Sequence, residues 1–115
     1  MQDGIKIPDS WNDLVNEKQK EAIEHINGPL LIVAGAGSGK TRVLTYRYAH
    51  LVKNHSVNFS NILAITFTNK AANEMKERIS KLLGLDIHPK WISTFHSSCV
   101  KILRTHGYLI GYKTN

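Results

Sequence analysis

The sequence predicts an α/β fold, a parallel sheet with helices on both faces that is incomplete within this chain. Three observations predict it. Two continuous apolar runs, Leu30-Leu31-Ile32-Val33 and Ile62-Leu63-Ala64-Ile65-Thr66-Phe67, have the length and lack of alternation of strands covered on both sides. A third, Trp91-Ile92-Ser93-Thr94, is shorter but similar, and each of the three is followed by a segment with helical spacing of apolar residues. Strand alternating with helix demands parallel strands joined by right-handed crossovers.

Each element has its own signal. Residues 1–13 mix Asp3, Lys6, Asp9 and Asp13 with Pro8 and read as a loosely held leader, not as a secretory signal. Asn16-Glu17-Lys18-Gln19 has the form of a capping box and opens a short helix with Ala22, Ile23 and Ile26 inward, stopped by Gly28-Pro29. The first strand, Leu30–Val33, leads through a glycine-rich loop into a helix over Lys40 to Lys53, with Leu44, Tyr48, Leu51 and Val52 on one face. The second strand leads into a helix over Asn69 to Leu83. Ala72, Met75, Ile79 and Leu82 face inward there, Glu74/Arg78 and Glu77/Lys81 form i, i+4 pairs outside, and Gly84 is the stop. The third strand leads into a helix over Phe95 to His106, with Phe95, Cys99, Ile102 and Leu103 inward and Gly107 after it.

The 115 residues suffice for one modest core, and residues 14–115 read as a single unit. No apolar run approaches the roughly 20 residues that span a bilayer, and a cytoplasmic address with no membrane partner follows by default. Cys99 is the only cysteine, so no disulfide or multi-cysteine zinc site can form within the chain. The six histidines avoid i, i+4 spacing and have no carboxylate at a metal-ligand interval; most read as surface or half-buried fillers. Charge is uneven. Residues 1–39 hold three Lys and six Asp/Glu, whereas residues 40–115 hold twelve Lys/Arg and three Asp/Glu. A basic C-terminal two-thirds suggests a polyanion, nucleic acid first, or else a solvated basic face.

The chemistry sits in Ala34-Gly35-Ala36-Gly37-Ser38-Gly39-Lys40-Thr41. A triphosphate needs many donors at close range. Gly35, Gly37 and Gly39 lack Cβ atoms, so the backbone can curl and turn its N–H groups inward. The loop runs into a helix whose N-terminal dipole favours anions. Lys40 reaches the β- and γ-phosphates, and Thr41 offers a hydroxyl to Mg²⁺. The pattern asks for Gly at the first position, and Ala34 stands there; the position has only to be small. The expected ligand is ATP with Mg²⁺.

Three further segments add a resemblance. LIVAGAGSGKTRVL (31–44) closely resembles the phosphate loop of the UvrD/Rep-type (PcrA-like) superfamily 1 DNA helicases. ILAITFTNKAANEMKERI (62–79) looks like that family's motif Ia and WISTFHSSCVKILR (91–104) like its motif Ib, while Leu14-Val15-Asn16-Glu17-Lys18-Gln19 matches its Q motif. The resemblance covers most of residues 14–106. It implies a RecA-like P-loop NTPase fold and an ATP-dependent helicase that moves 3′→5′ on single-stranded DNA. It also implies roles. Gln19 would read the adenine edge, beside or instead of its capping role, and Arg42 would lie against base or ribose. Thr66, Phe67, Thr68 and Asn69 would meet single-stranded DNA, as would Thr94, Phe95 and His96; ligands of open α/β sheets sit beyond the carboxyl ends of the strands. Core packing is the competing reading for Phe67 and Phe95, and Phe95 is expected to pack inward.

Hydrolysis needs carboxylates that hold Mg²⁺ and orient water. After Thr41 the only acids are Glu74, Glu77 and Asp86. Glu74 and Glu77 occupy pairing positions on a helix, and Asp86 follows a glycine break. In the family the Asp-Glu motif lies beyond motif Ib, and the second RecA-like domain lies further on. The chain is therefore expected to be the N-terminal part of a helicase motor, inactive alone. Two other classes compete: a small phosphotransferase, whose acceptor-side acid and arginine-rich lid are not evident, and a non-catalytic module that binds nucleotide or nucleic acid.

Overall fold

The computed structural model describes residues 7–35, 39–84, 86 and 88–113. In chain order these form α1 (Glu17–Glu24), α2 (Lys40–Asn54), β1 (Ala64–Thr66), α3 (Asn69–Leu83), β2 (Ile92–Thr94) and α4 (Phe95–His106), with short 3-10 turns at Asp9–Trp11, Phe59–Asn61 and Gly107–Ile110.

The helix ends follow local chemistry. At α1 the Asn16 side chain accepts from the Gln19 amide and Gln19 Oε1 accepts from the Asn16 amide, each at 2.9 Å, which closes the capping box. Thr68 caps α3 by accepting from Ala71 N at 3.1 Å, and Gly84 ends it in the left-handed conformation at φ 66. Thr94 caps α4 in the same way as Thr68 caps α3.

β1 and β2 pair in parallel with Ala64 opposite Ile92 and Thr66 opposite Thr94. Side chains alternate across a strand, and the two faces of β2 meet different helices. Ile92 packs in a cluster with Tyr48, Met75 and Ile79, so α2 and α3 cover that face. Ser93 points the other way, and its hydroxyl lies 2.6 Å from that of Ser98 on α4. Helices thus lie on both faces of a two-stranded parallel sheet. A second cluster joins Ala22 and Ile23 of α1 to Val43 and Ala49 of α2.

Several expectations are corrected. Leu30–Val33 is not a strand. Leu31 is 86% and Val33 90% exposed, and no strand lies beside them among the described residues. A run of this kind becomes an interior strand only where neighbours take its N–H and C=O groups and helices cover its faces. The second strand is shorter than its apolar run for a related reason: β2 is its one partner, and Phe67 turns out at 97% exposure. On α4, Phe95, Ile102 and Leu103 are exposed and Ser98 is the buried side chain. Leu44 on α2 is likewise exposed. Neither Glu74/Arg78 nor Glu77/Lys81 forms a salt bridge among the described residues; the pairs that form are Lys18–Glu21 and Asp86–His88.

The leader is held, not loose, over its described part. Ile7 and Trp11 are buried with Ala22 and Ile23, and Ile7 N donates to Glu24 Oε2 at 2.8 Å. Two histidines also depart from the filler reading. His50 and His55 are buried with their Nε2 atoms 3.0 Å apart, and Asn54 Nδ2 lies 2.7 Å from His50 Nδ1. The amide nitrogen can only donate, so His50 Nδ1 accepts and His50 Nε2 carries the proton towards His55. His55 Nδ1 is buried without a hydrogen-bond partner among the described residues.

Two predictions follow from this packing. Ile79 is fully buried between α2 and the sheet, so Ile79→Ala should cost about 2–5 kcal/mol in urea unfolding. Burial pushes the Tyr48 phenol up to about 12 from its usual 10.0. Above pH 10 the unfolded chain releases this proton while the folded chain keeps it. Stability should therefore fall as pH rises from 10 through 12, and Tyr48→Phe should flatten that part of the profile.

Candidate functional site

The left-handed backbone of Gly39, at φ 85 and ψ 20, ends the glycine loop and forms the N-cap of α2. Only a residue without Cβ holds this geometry cheaply, and a Cβ here would also lie 3.0 Å from Gln19 Nε2. Lys40 and Thr41 follow as the first residues of α2, both exposed. Their position places an ammonium and a hydroxyl beside the unpaired amides of the first helical turn. Ala34 is half-buried and Gly35 exposed. The expectations for Ala36, Gly37 and Ser38 lie outside the described residues.

A cavity of about 310 Å³ opens here, lined by Gln19, Val33, Ala34, Gly35, Lys40 and Val43 among others. Its volume falls at the small end of ligand pockets. Gln19, the start of the loop and Lys40 thus share one concavity. Arg42 has a partner within the chain. Its Nη1 donates to the Leu14 carbonyl at 3.0 Å, which ties the segment before α1 to α2. For a metal, the chain offers the Thr41 hydroxyl and little else: among the described residues no group of three or more His, Cys, Asp or Glu could hold an ion. That donor set suits Mg²⁺ only if phosphate oxygens and water supply the other ligands, as this ion prefers.

The second group of residues sits beyond β1 and β2. Parallel pairing with Thr66 opposite Thr94 brings both following loops to one sheet edge. Phe67 is 97% and Phe95 61% exposed there, with Asn69, Lys70 and His96 also exposed. The rings of Phe95 and His96 meet edge to face at 6.3 Å. The inward expectation for Phe95 is corrected: as the first residue of α4, directly after its cap, it points away from the core. The threonines are committed internally. Thr66 Oγ1 donates to the Thr68 carbonyl at 3.0 Å, and Thr68 caps α3. Thr94 is buried, accepts from Ser97 N and donates to Ser97 Oγ at 2.9 Å. The hydroxyl protons of Thr66 and Thr94 thus serve the turns themselves, whereas Asn69, Lys70 and His96 are exposed at this edge.

Part of the basic charge lies at the opposite edge. Lys90 and Lys101 stand with their Nζ atoms 5.4 and 6.0 Å from the centre of the Trp91 ring. Burial, then the nearby Lys76 and Lys90 ammonium groups, hold the Lys101 amine below its ordinary range.

Comparison with known proteins gives a consistent result. Residues 15–115 match the model of the UvrD/REP helicase N-terminal domain. The ATP-dependent DNA helicase PcrA of Staphylococcus aureus is 57% identical over 101 residues, covering 88% of this chain and 14% of that protein. The ATP-dependent DNA helicase UvrD1 of Mycobacterium leprae is 58% identical over 100 residues, covering 86% of this chain and 13% of the relative. PcrA of Staphylococcus epidermidis is 56% identical over 101 residues. The chain thus spans about 14% of the length of the relatives it matches. With most of its length matched by the family model and by relatives well above half identical, the chain belongs to the UvrD/REP helicase N-terminal domain family.

Proposed function

We propose that this chain is the ATP-binding first part of the motor of a DNA helicase that translocates 3′→5′ on single strands. The observation that carries the reading is the cavity in which Gln19, the loop start and Lys40 meet ahead of α2. Loop amides and the α2 dipole receive the phosphates, Lys40 adds a point charge at the β- and γ-phosphates, and Gln19 faces the base. Gly35 to Gly39 supply the close approach. Mg²⁺, when bound with the nucleotide, would offset phosphate charge, and the Thr41 hydroxyl would be its protein ligand. Arg42 contributes to the base side through the Leu14 segment that it holds, with its other guanidinium donors left for the nucleotide.

Single-stranded DNA would cross the edge that carries Phe67, Asn69, Phe95 and His96. Aromatic faces there stack on unpaired bases, and the basic balance of residues 40–115 supplies salt-sensitive attraction. Thr66, Thr68 and Thr94 shape these loops. The relatives are named ATP-dependent DNA helicases, and the chain covers 14% of PcrA, which supports a longer motor; a second RecA-like domain as partner and a cytoplasmic setting belong to the same proposal. Among the described residues no helix is long and apolar enough to cross a membrane.

Glu74, Glu77 and Asp86, the acids after Thr41, are exposed, and Glu77 and Asp86 line a groove with Lys76 and Lys90. The chain alone should therefore bind ATP without turning it over. A DNA-stimulated turnover lost in Lys40→Ala would show that one of these acids is catalytic. The opposing reading, a non-catalytic nucleotide or nucleic-acid module, predicts no turnover in the full-length protein either.

Titration with a fluorescent ATP analogue should show Lys40→Ala weaker by roughly tenfold or more, the scale of a charge-assisted hydrogen bond. Equal affinity would remove Lys40 from the phosphate site. In the full-length protein, Phe67→Ala should lose about 1–3 kcal/mol of single-strand affinity in anisotropy, with ATP binding and thermal melting nearly unchanged. Full DNA affinity in that variant would remove the stacking role.

A further inference from the structure

We propose that Arg47 is a positioning residue for base recognition: it anchors α1 to α2 so that Gln19 stays aligned with the phosphate loop. The inference rests on the nucleotide reading of the site and names the residue that mounts its base-facing side.

The short helix α1 has eight residues and buries only Ala22 and Ile23. A two-turn helix of this composition is marginal by itself, so its place depends on tertiary ties. Arg47 Nη2 donates to the carbonyl of His25, the C-cap of α1, at 2.9 Å. This satisfies a carbonyl that the helix leaves without an intrahelical partner and sets a cation at the negative end of its dipole. Arg42 holds the other side of α1 through the Leu14 carbonyl. The two arginines lie five residues apart on α2, about 7.5 Å of axial rise, and between them they bracket α1. The helix that begins with Lys40 therefore also carries the mount for Gln19.

The amide of Gln19 has a fixed orientation. Its Oε1 accepts from Asn16 N, and its Nε2 faces the Cα of Gly39. The oxygen has a second lone pair that can accept from the adenine amino group, while Nε2 donates to the adjacent ring nitrogen. Guanine offers an acceptor where adenine offers that donor, so a fixed amide favours adenine. Tilting α1 at its His25 end would move this amide while leaving the glycine loop and Lys40 in place. Arg47 is absent from the lining of the cavity that holds Gln19 and Lys40: its side chain lines an apolar cavity with Leu44, Tyr48, Leu51 and Met75, and among the described residues its Nε is buried without a partner.

The test uses the full chain with Arg47→Met and Arg47→Lys. Methionine keeps an unbranched stem in the apolar cavity without a donor, and lysine restores one donor towards the His25 carbonyl. Ribose-labelled fluorescent ATP and GTP report base preference, and tripolyphosphate with Mg²⁺ reports the phosphate loop. Arg47→Met should lower the ATP-to-GTP affinity ratio by about tenfold, with tripolyphosphate binding within about twofold of wild type. Arg47→Lys should recover most of the ratio. A wild type that binds tripolyphosphate but treats ATP and GTP alike overturns base reading and this role together. A discriminating wild type whose ratio survives in Arg47→Met, or falls only in step with tripolyphosphate binding, leaves base reading in place and overturns the role of Arg47.

Discussion

The start of α2 constrains everything around it. Gly39 turns the chain through a left-handed conformation, and the helix that follows sets its first-turn amides, Lys40 and Thr41 at one end of a cavity. Further along, Arg42 and Arg47 reach back to the segment around α1. Val43 and Ala49 build one core cluster and Tyr48 the other. A side chain at residue 39 would strain the turn and press on Gln19 at once. Lys40, Gln19 and both cores are thus referred to a single helix.

The helices were legible because their signals are local. The capping box at Asn16 and Gln19, the Thr68 and Thr94 caps and the Gly84 stop all lie within a few residues of the ends they fix. The strands were less so, because a strand is made by its neighbours. Ala64–Thr66 and Ile92–Thr94 pair with one another, whereas Leu30–Val33 has the same apolar character and no described partner. The same logic exposes Ile102 and Leu103 on α4: helical periodicity reports which residues share a face, not whether anything covers it.

For the candidate site, the turn into α2 at Gly39 and the capping place of Gln19 were readable from residue types and spacing. The commitments of Arg42, Thr66 and Thr94 were not, since each hydrogen bond depends on where other segments fall. Phe67 and Phe95 illustrate the limit for aromatics, which serve cores and surfaces equally well. The His50–His55 pair was hidden for another reason: a five-residue spacing is not one that a helix brings together, and contact arises because the chain turns away just after Asn54.

The uncovered run at 30–33 has a colloidal consequence. Four consecutive exposed aliphatic residues, with no strand beside them among the described residues, offer a template for strand addition by a second molecule. No charged residue lies between His25 and Lys40 to repel such stacking, and the flanking Gly28-Pro29 and Gly35 limit only how far it can spread. In concentrated solution the chain should be governed by this segment more than by its high net charge, and a strand that covers the run would act as its solubiliser.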